Sequence, residues 1–460
     1  MKIKQFEVAG LAQYSYVVSS EGEAVVIDPM RDFDRYTEYA TEQGLHIKYV
    51  TETHIHADFA SGALALSEAT GAELALSTYD QKPYRYGMEH QPLRDGDVLQ
   101  IGKLRLVALH TPGHTPEHLS FLLFDEERDA SQPLALFSGD FLFVGSLGRP
   151  DLLGDEAKQE LAHDLYRSLH GRIASLPDGV QVYPGHGAGS LCGSGMSERA
   201  ESTLGYERLS QPLFKLNEDD FVREILASVP PMPSYYPRMK ELNSKGASSV
   251  ADLPGKNPLT PARIATLLSD ESVTVVDLRR PEAFGGAHIP GAVNIGAGQN
   301  LSLWAGWMLA PEQKLVLVND KGDDEDSRRS LVRVGLEHIE GFLQMGVSAW
   351  VDAGMEFIRT TQLSIREVAE RHPDTQVLDV RSDKEWARGH IKGAIHIPLG
   401  ELKDRIKELL EDVSIIAVCG SGYRSSIAAS VLQAHGFTRI SSMDGGMTAW
   451  NERDLPLAAS

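Results

Sequence analysis

Apolar residues in the first half of the chain come in short runs closed by turn-forming residues, the pattern of strands rather than of long helices. Residues 16–18, 24–27, 48–51, 104–107, 119–124, 134–137 and 180–183 read as strands, and a helical run is expected near Ser61. From 229 to 237 the sequence Val-Pro-Pro-Met-Pro-Ser-Tyr-Tyr-Pro can sustain neither a helix nor a central strand. Residues 243–261 are rich in Ser, Gly and Pro and read as a linker, with a boundary near residue 250.

Beyond that boundary the pattern repeats itself. Val276-Asp277-Leu278-Arg279 returns as Leu378-Asp379-Val380-Arg381, and Ala287-His288-Ile289 with Gly291-Ala292 returns as Gly389-His390-Ile391 with Gly393-Ala394. Ser348-Ala349-Trp350 returns as Thr448-Ala449-Trp450. Apolar strands alternate with helical stretches, which implies two α/β units, each with a parallel sheet covered on both faces. The expected domains are 1–245, 258–357 and 361–460.

Composition narrows the function. Among the 460 residues, 42% are hydrophobic and 24% charged, ordinary values for globular domains. The formal net charge of −21 argues against a nucleic-acid partner, which needs a clustered basic surface. No apolar run is long enough to span a bilayer, and Met1–Gly10 lacks the apolar stretch of a secretory signal. Two cysteines, Cys192 and Cys419, make no disulfide framework and suit a reducing cytoplasm.

Four histidine and aspartate clusters follow strands in the first domain: Thr53-His54-Ile55-His56-Ala57-Asp58-Phe59, His110-Thr111-Pro112-Gly113-His114, Ser138-Gly139-Asp140 and Pro184-Gly185-His186. Loops at one sheet edge bring such clusters together, and imidazole with carboxylate is what divalent iron or zinc accepts. This set resembles the metallo-β-lactamase superfamily, which implies an αββα sandwich. The family's first motif, His-x-His-x-Asp-His, ends here in Phe59, so a second metal loses a ligand. The resemblance points to one Fe(II) per chain on His54, His114 and Asp140, a facial triad typical of non-haem oxygen chemistry. Zinc and manganese accept the same ligands, and zinc is compatible with the protein as purified. His56, Asp58 and His186 then support the metal from behind it. Gly148-Arg149-Pro150-Asp151 is similar to a segment of the persulfide dioxygenases, which implies substrate binding by Arg149; a structural ion pair with Asp151 is the alternative. Cys192, six residues after His186, resembles a cysteine of persulfide dioxygenase–rhodanese fusions that holds or relays sulfur; a small buried hydrophobe is the alternative.

The apolar strand 415–418 runs into Cys419-Gly420-Ser421-Gly422-Tyr423-Arg424 and a helical stretch from Ser425 to His435. A cysteine at a turn into a helix faces unpaired N–H groups and the positive end of the dipole, which favours the reactive thiolate. This loop resembles that of a rhodanese, a sulfurtransferase. Its six residues, one fewer than in related phosphatases, imply a persulfide on Cys419. Arg424 then adds charge or fixes the loop, while Gly420, Ser421, Gly422, Tyr423 and Ser425 line the substrate pocket. In the first copy the matching position is Asn319, followed by the acidic run Asp320-Lys321-Gly322-Asp323-Asp324-Glu325-Asp326. An amide carries no sulfane sulfur, so that copy is expected to be a spacer or packing surface.

Together these features imply an enzyme acting with O2 on small thiol persulfides, such as those of glutathione, coenzyme A or bacillithiol. It would yield sulfite, with thiosulfate formed or used at Cys419, in a protein expected to be homo-oligomeric. The alternatives are a glyoxalase-II-like thioester hydrolase with an accessory rhodanese, which prefers two metals, and a non-catalytic sulfur relay.

Overall fold

The computed structural model describes residues 1–460 apart from Ala251, Lys321, 372–374, Glu411 and 459–460. Two compact units divide the chain, Met1–Asp252 with Val332–Gly335, and Leu253–Leu331 with Leu336–Ser460.

In the first unit, strand alternation builds two sheets. One runs in the order Lys2–Val8, Gln13–Ser20, Glu23–Ile27, His46–Thr51, Glu73–Ser77, Gln91–Leu93. The other runs Ser202–Thr203, Gln181–Pro184, Ala135–Gly139, Leu119–Asp125, Leu104–His110, Val98–Ile101. Successive side chains on a strand point to opposite faces. Tyr16, Val18, Val25 and Ile27 therefore meet Leu104, Leu106, Phe121, Leu123 and Phe137 between the sheets. Their neighbours Val17, Ala24 and Val26 face outward, onto Tyr36 and Ala40 of the helix Asp34–Gln43 and Leu66 of the helix Ala63–Thr70. Leu122 and Leu136 likewise face the helices Lys158–Arg167 and Glu218–Ser228, through Leu165 and Phe221. Burial on both faces explains why these strands read as continuous apolar runs. The result is an αββα sandwich.

The second unit holds two five-stranded sheets of one topology. The first is ordered Pro258–Leu259, Ile339–Leu343, Lys314–Val318, Val273–Asp277, Val293–Asn294; the second Thr361–Leu363, Ile440–Met443, Ile415–Val418, Gln376–Asp379, Ile395–His396. Every strand pairing in both is parallel. The repeated Asp-x-Arg has a structural use. Arg279 and Arg381 each clamp the aspartate two residues back, at 2.6 Å for the shortest contact, and donate to Ala287 O at 2.8 Å and Gly389 O at 2.9 Å. The ion pair thus pins the repeated histidine segment beside the strand end.

The expected linker starts too early. Residues 236–245 form the helix Tyr236–Lys245, with Pro237 in its first turn, where no intrahelical N–H is lost. The helix expected near Ser61 is Ala63–Thr70. Among the described residues, no helix is long and apolar enough to cross a membrane.

Candidate metal centre and cysteine loops

His54, His114 and Asp140 sit on three different loops at strand ends, and all three are fully buried. Their side chains converge: His114 Nε2 lies 3.5 Å and His54 Nε2 3.9 Å from Asp140 Oδ2. Donor atoms about 2.1 Å from one ion lie roughly 3 to 3.5 Å from each other, so a small inward shift accommodates a metal.

Hydrogen bonding fixes which atom of each ring faces inward. The Nδ1 of His114 meets Arg149 O at 2.8 Å, and a carbonyl only accepts, so Nδ1 carries the proton and Nε2 the lone pair. His54 Nδ1 lies 2.9 Å from Thr53 Oγ1, whose hydroxyl donates to Asp28 Oδ2 at 2.9 Å. That hydroxyl therefore accepts from Nδ1, and the lone pair of His54 is again on Nε2. His54 Nε2, His114 Nε2 and Asp140 Oδ2 are each buried without a hydrogen-bond partner. Unpaired buried polar atoms are costly, and three of them aimed at one point suit a cation. Burial pushes the pKa of both rings well below the usual imidazole value, with neighbouring imidazoles adding to it, so both stay neutral and able to ligate. The donor set therefore fits a divalent metal.

His186 stands behind Asp140. Its Nδ1 is 2.7 Å from Asp140 Oδ1 and its Nε2 2.7 Å from Asp58 Oδ2. Burial opposes charge on this ring, yet the two carboxylates outweigh it and its pKa is raised well above the usual value. Asp58, His186 and Cys192 form a second buried group whose donor atoms lie within 4.8 Å of one another. Burial pushes the Cys192 thiol well up, and Asp58 and Asp140 push it further. His56 stacks near His54 at 4.2 Å between centroids, with its Nε2 3.0 Å from Asp28 Oδ1. Phe59 is fully buried and packs on His56 at 4.4 Å.

The Arg149 side chain is bonded within the protein. Its guanidinium donates to both oxygens of Asp151 at 2.7 and 2.8 Å, and to Leu191 O and Pro230 O at 3.0 and 2.8 Å. That geometry matches the ion-pair alternative, and it is the main-chain carbonyl of Arg149 that touches the site. Gly148, beside it, has no room for a side chain: a Cβ would lie 1.8 Å from Asp140 O and 2.9 Å from His114 Nδ1. Gly148→Ala is therefore expected to lose stability by about 1–3 kcal/mol, as in other overpacked sites. It should also retain less metal, as measured by thermal melting and by metal analysis of the purified protein.

Three partners of this site were not legible in the motifs. Asp28, at a left-handed φ of 53° just past the strand Glu23–Ile27, accepts from Thr53 N at 2.7 Å as well as from Thr53 Oγ1 and His56. His118 stacks on His54 at 5.3 Å and accepts from Asp140 N at 3.1 Å. Asn243 belongs to the segment read as linker. Only Asp28 carried a signal, as an acidic residue closing an apolar strand.

In the second unit, Cys419 lies between the strand Ile415–Val418 and the helix Tyr423–Ala434 and is buried. Gly422, at φ 106°, turns its N–H onto Cys419 Sγ at 3.1 Å. The thiol is 3.6 Å from Ser425 Oγ, which donates to Gly422 O at 3.0 Å. Ser421 is exposed at the loop tip, and Gly420 underlies the Arg424 guanidinium, whose Nη2 would be 3.2 Å from a Cβ there. Tyr423 reaches to the first copy, donating to Gly296 O at 2.8 Å.

Arg424 fixes the loop. It forms a two-point pair with Glu385, both contacts at 2.7 Å, and Glu385 closes a capping box with Ser382 on the helix Asp383–Ala387. Burial raises the Glu385 pKa, but Arg424 and the Ser382 contacts outweigh it and bring it from 4.5 to about 2. A depressed acid contributes stability that is present above its unfolded value and lost as pH falls through its folded value. Wild-type stability should therefore fall between pH 4.5 and about 2 by an increment that Glu385→Gln lacks, read from melting temperatures across that range. An equal decline in both proteins would contradict the assignment.

The first copy keeps one contact of that loop without the sulfur, and its helix begins later, at Glu325. Asn319 Oδ1 accepts from Gly322 N at 2.7 Å, the counterpart of the Gly422 contact to Cys419. A cavity of about 340 Å³ beside it is lined by Arg280, Asp320, Asp324 and Tyr423 among others. Lys321, in the acidic run, lies outside the described residues.

Fold and site together define a metallo-β-lactamase-fold protein joined to a tandem of rhodanese-like domains. The Metallo-beta-lactamase superfamily model matches residues 8–186, and the Rhodanese-like domain model matches 260–353 and 364–453. Persulfide dioxygenase ETHE1, mitochondrial, of Bos taurus is 31% identical over 214 residues, covering 46% of this chain and 74% of that protein. A hydroxyacylglutathione hydrolase of Polaromonas sp. is 34% identical over 176 residues, covering 38% of this chain and 61% of that protein. The crystal structure of a metallo-beta-lactamase from Staphylococcus aureus subsp. aureus COL superimposes with a TM-score of 0.67 at 36% identity, over 75% of this chain and 98% of that one. The chain belongs to the persulfide dioxygenase–rhodanese fusion family.

Proposed function

We propose that the chain oxidises small thiol persulfides with O2 at a mononuclear Fe(II) held by His54, His114 and Asp140, and that Cys419 transfers sulfane sulfur. The observation that carries this reading is the convergence of three unpartnered, buried donor atoms, two imidazole nitrogens and one carboxylate oxygen. That donor set, with open positions, is the one non-haem Fe(II) uses for oxygen chemistry.

An iron held by His54, His114 and Asp140 would supply the redox chemistry that lets O2 oxidise the outer sulfur of the persulfide. The chain's own residues orient its ligands. Arg149 O and Thr53 Oγ1 hold the two imidazoles with Nε2 inward, and His186 holds Asp140 by the oxygen that does not face the metal. Phe59, buried against His56, puts an apolar ring where the family's motif has a ligand of a second metal. The overall conversion is persulfide, O2 and water to thiol, sulfite and two protons: the outer sulfur is oxidised and O2 reduced. Glutathione persulfide is the first substrate to try, and two unpaired cysteines suit a reducing cytoplasm.

At Cys419 the sulfane sulfur rides as a Cys persulfide, with the N–H of Gly422 directed at the sulfur. Attack by sulfite on the outer sulfur breaks the S–S bond, releases thiosulfate and returns the cysteine thiolate; the reverse direction consumes thiosulfate. Asn319 excludes the same chemistry from the first copy. Sulfite and thiosulfate together formed in equal amount to O2 consumed, with glutathione persulfide as sole sulfur source, tests the first step.

A second reading, a metal-dependent thioester hydrolase, draws on the similarity to the hydroxyacylglutathione hydrolase. Thioester turnover with two metals per chain would favour it, and Phe59 weighs against it.

A further inference from the structure

We propose that Asn243, with Lys240 and Tyr235, positions the loop that presents His54, which makes the helix Tyr236–Lys245 part of the metal centre. The inference rests on the metal-site reading above and concerns the chain's own residues.

Between the strand His46–Thr51 and the helix Ala63–Thr70 the chain has no regular structure, yet it carries His54, His56 and Asp58. Buried backbone groups in such a loop need partners. One short segment supplies five of them with side-chain partners. Asn243 Nδ2 donates to His56 O at 2.8 Å and to Phe59 O at 2.7 Å, and Asn243 Oδ1 accepts from Ser61 N at 2.8 Å. Lys240 Nζ donates to Ile55 O at 2.8 Å, while Ile55 N donates to Glu117 Oε1 at 3.0 Å, 3.9 Å from the same Nζ. Tyr235 Oη donates to Asp58 O at 3.2 Å. The amide of Asn243 therefore works as a strut across residues 56–61, and Lys240, three residues earlier on the same helix face, fixes the residue next to His54.

All three side chains are buried, Asn243 and Lys240 at 1% exposure and Tyr235 at 3%. Burying a lysine is expensive, and a helix that only covered the sandwich would do so with apolar residues. The polar face is explained by the loop it holds. Because ligand atoms must stay close to their bonding positions, loosening the strut should reach the metal before it reaches the fold.

The test uses the full-length chain stripped of metal and titrated with Co(II), with no substrate present, following the visible d–d absorption. Asn243→Asp keeps the shape but turns an oxygen onto His56 O and Phe59 O; Lys240→Met keeps the length without the donor. Both should weaken Co(II) binding by about 10- to 100-fold, the usual effect of losing an outer partner of a ligand, and should shift the absorption bands. Either variant suffices if the other fails to fold. Variants that melt at lower temperature but bind Co(II) with wild-type affinity and spectrum would overturn the inference and leave the proposed function standing. Wild-type protein that binds no Co(II) would overturn both.

Discussion

His114→Ala should abolish oxygen uptake and metal retention together while leaving sulfur transfer at Cys419 unchanged. Its Nε2 is one of the three converging buried atoms that have no hydrogen-bond partner, and its other nitrogen is committed to Arg149 O. Alanine removes a ligand outright, whereas losing a mere supporting partner of a ligand weakens metal binding by about 10- to 100-fold; a loss of at least about a hundredfold is expected here. The site lies in the unit Met1–Asp252 and Cys419 in the other, so thiosulfate-dependent transfer reports on a fold the substitution does not touch. Metal analysis beside both activity assays checks the result. Retained iron in His114→Ala would mean that the three atoms do not form the metal site.

The converse is expected of Cys419→Ser. Serine keeps the hydroxyl within reach of Gly422 N but has no sulfur to carry a persulfide, so transfer between thiosulfate and a thiol should fall by at least about 10³-fold, as when other catalytic nucleophiles are removed. Oxygen uptake per iron should stay at the wild-type value when the persulfide is supplied directly. Rates of thiocyanate or thiol-persulfide formation from thiosulfate measure the first, and an oxygen electrode the second. Residual transfer above a hundredth of wild type would move the sulfur-carrying role to Cys192.

Much of this was legible in the sequence because period and punctuation carried it. Apolar runs at 24–27 and 119–124 marked strands buried on both faces, and the duplicated Asp-x-Arg and Ala-Trp segments exposed two parallel sheets of one topology. His54, His114 and Asp140 stood out because each follows a strand, where loops of a sandwich converge. What escaped were contacts between residues far apart in the chain. Asn243 lies 187 residues from His56, which it holds, in a segment whose serines and glycine gave it a linker's composition. His118 bonds Thr111 in its own stretch at 2.9 Å, but its stacking on His54 joins segments far apart in the chain. Glu385 closes a local capping box with Ser382, but its bond to Arg424 spans 39 residues. Arg149, read as binding substrate or pairing with Asp151, has its guanidinium bonded to Asp151 and to carbonyls while its main-chain oxygen orients His114.

The most direct measurement is oxygen consumption by protein purified anaerobically and loaded with Fe(II), on addition of glutathione persulfide, with metal content determined on the same sample. Rapid uptake with about one iron per chain is the expected result, from the facial triad proposed on His54, His114 and Asp140. No uptake, together with two zinc ions per chain and turnover of a glutathione thioester, would contradict it and assign the metal site to hydrolysis.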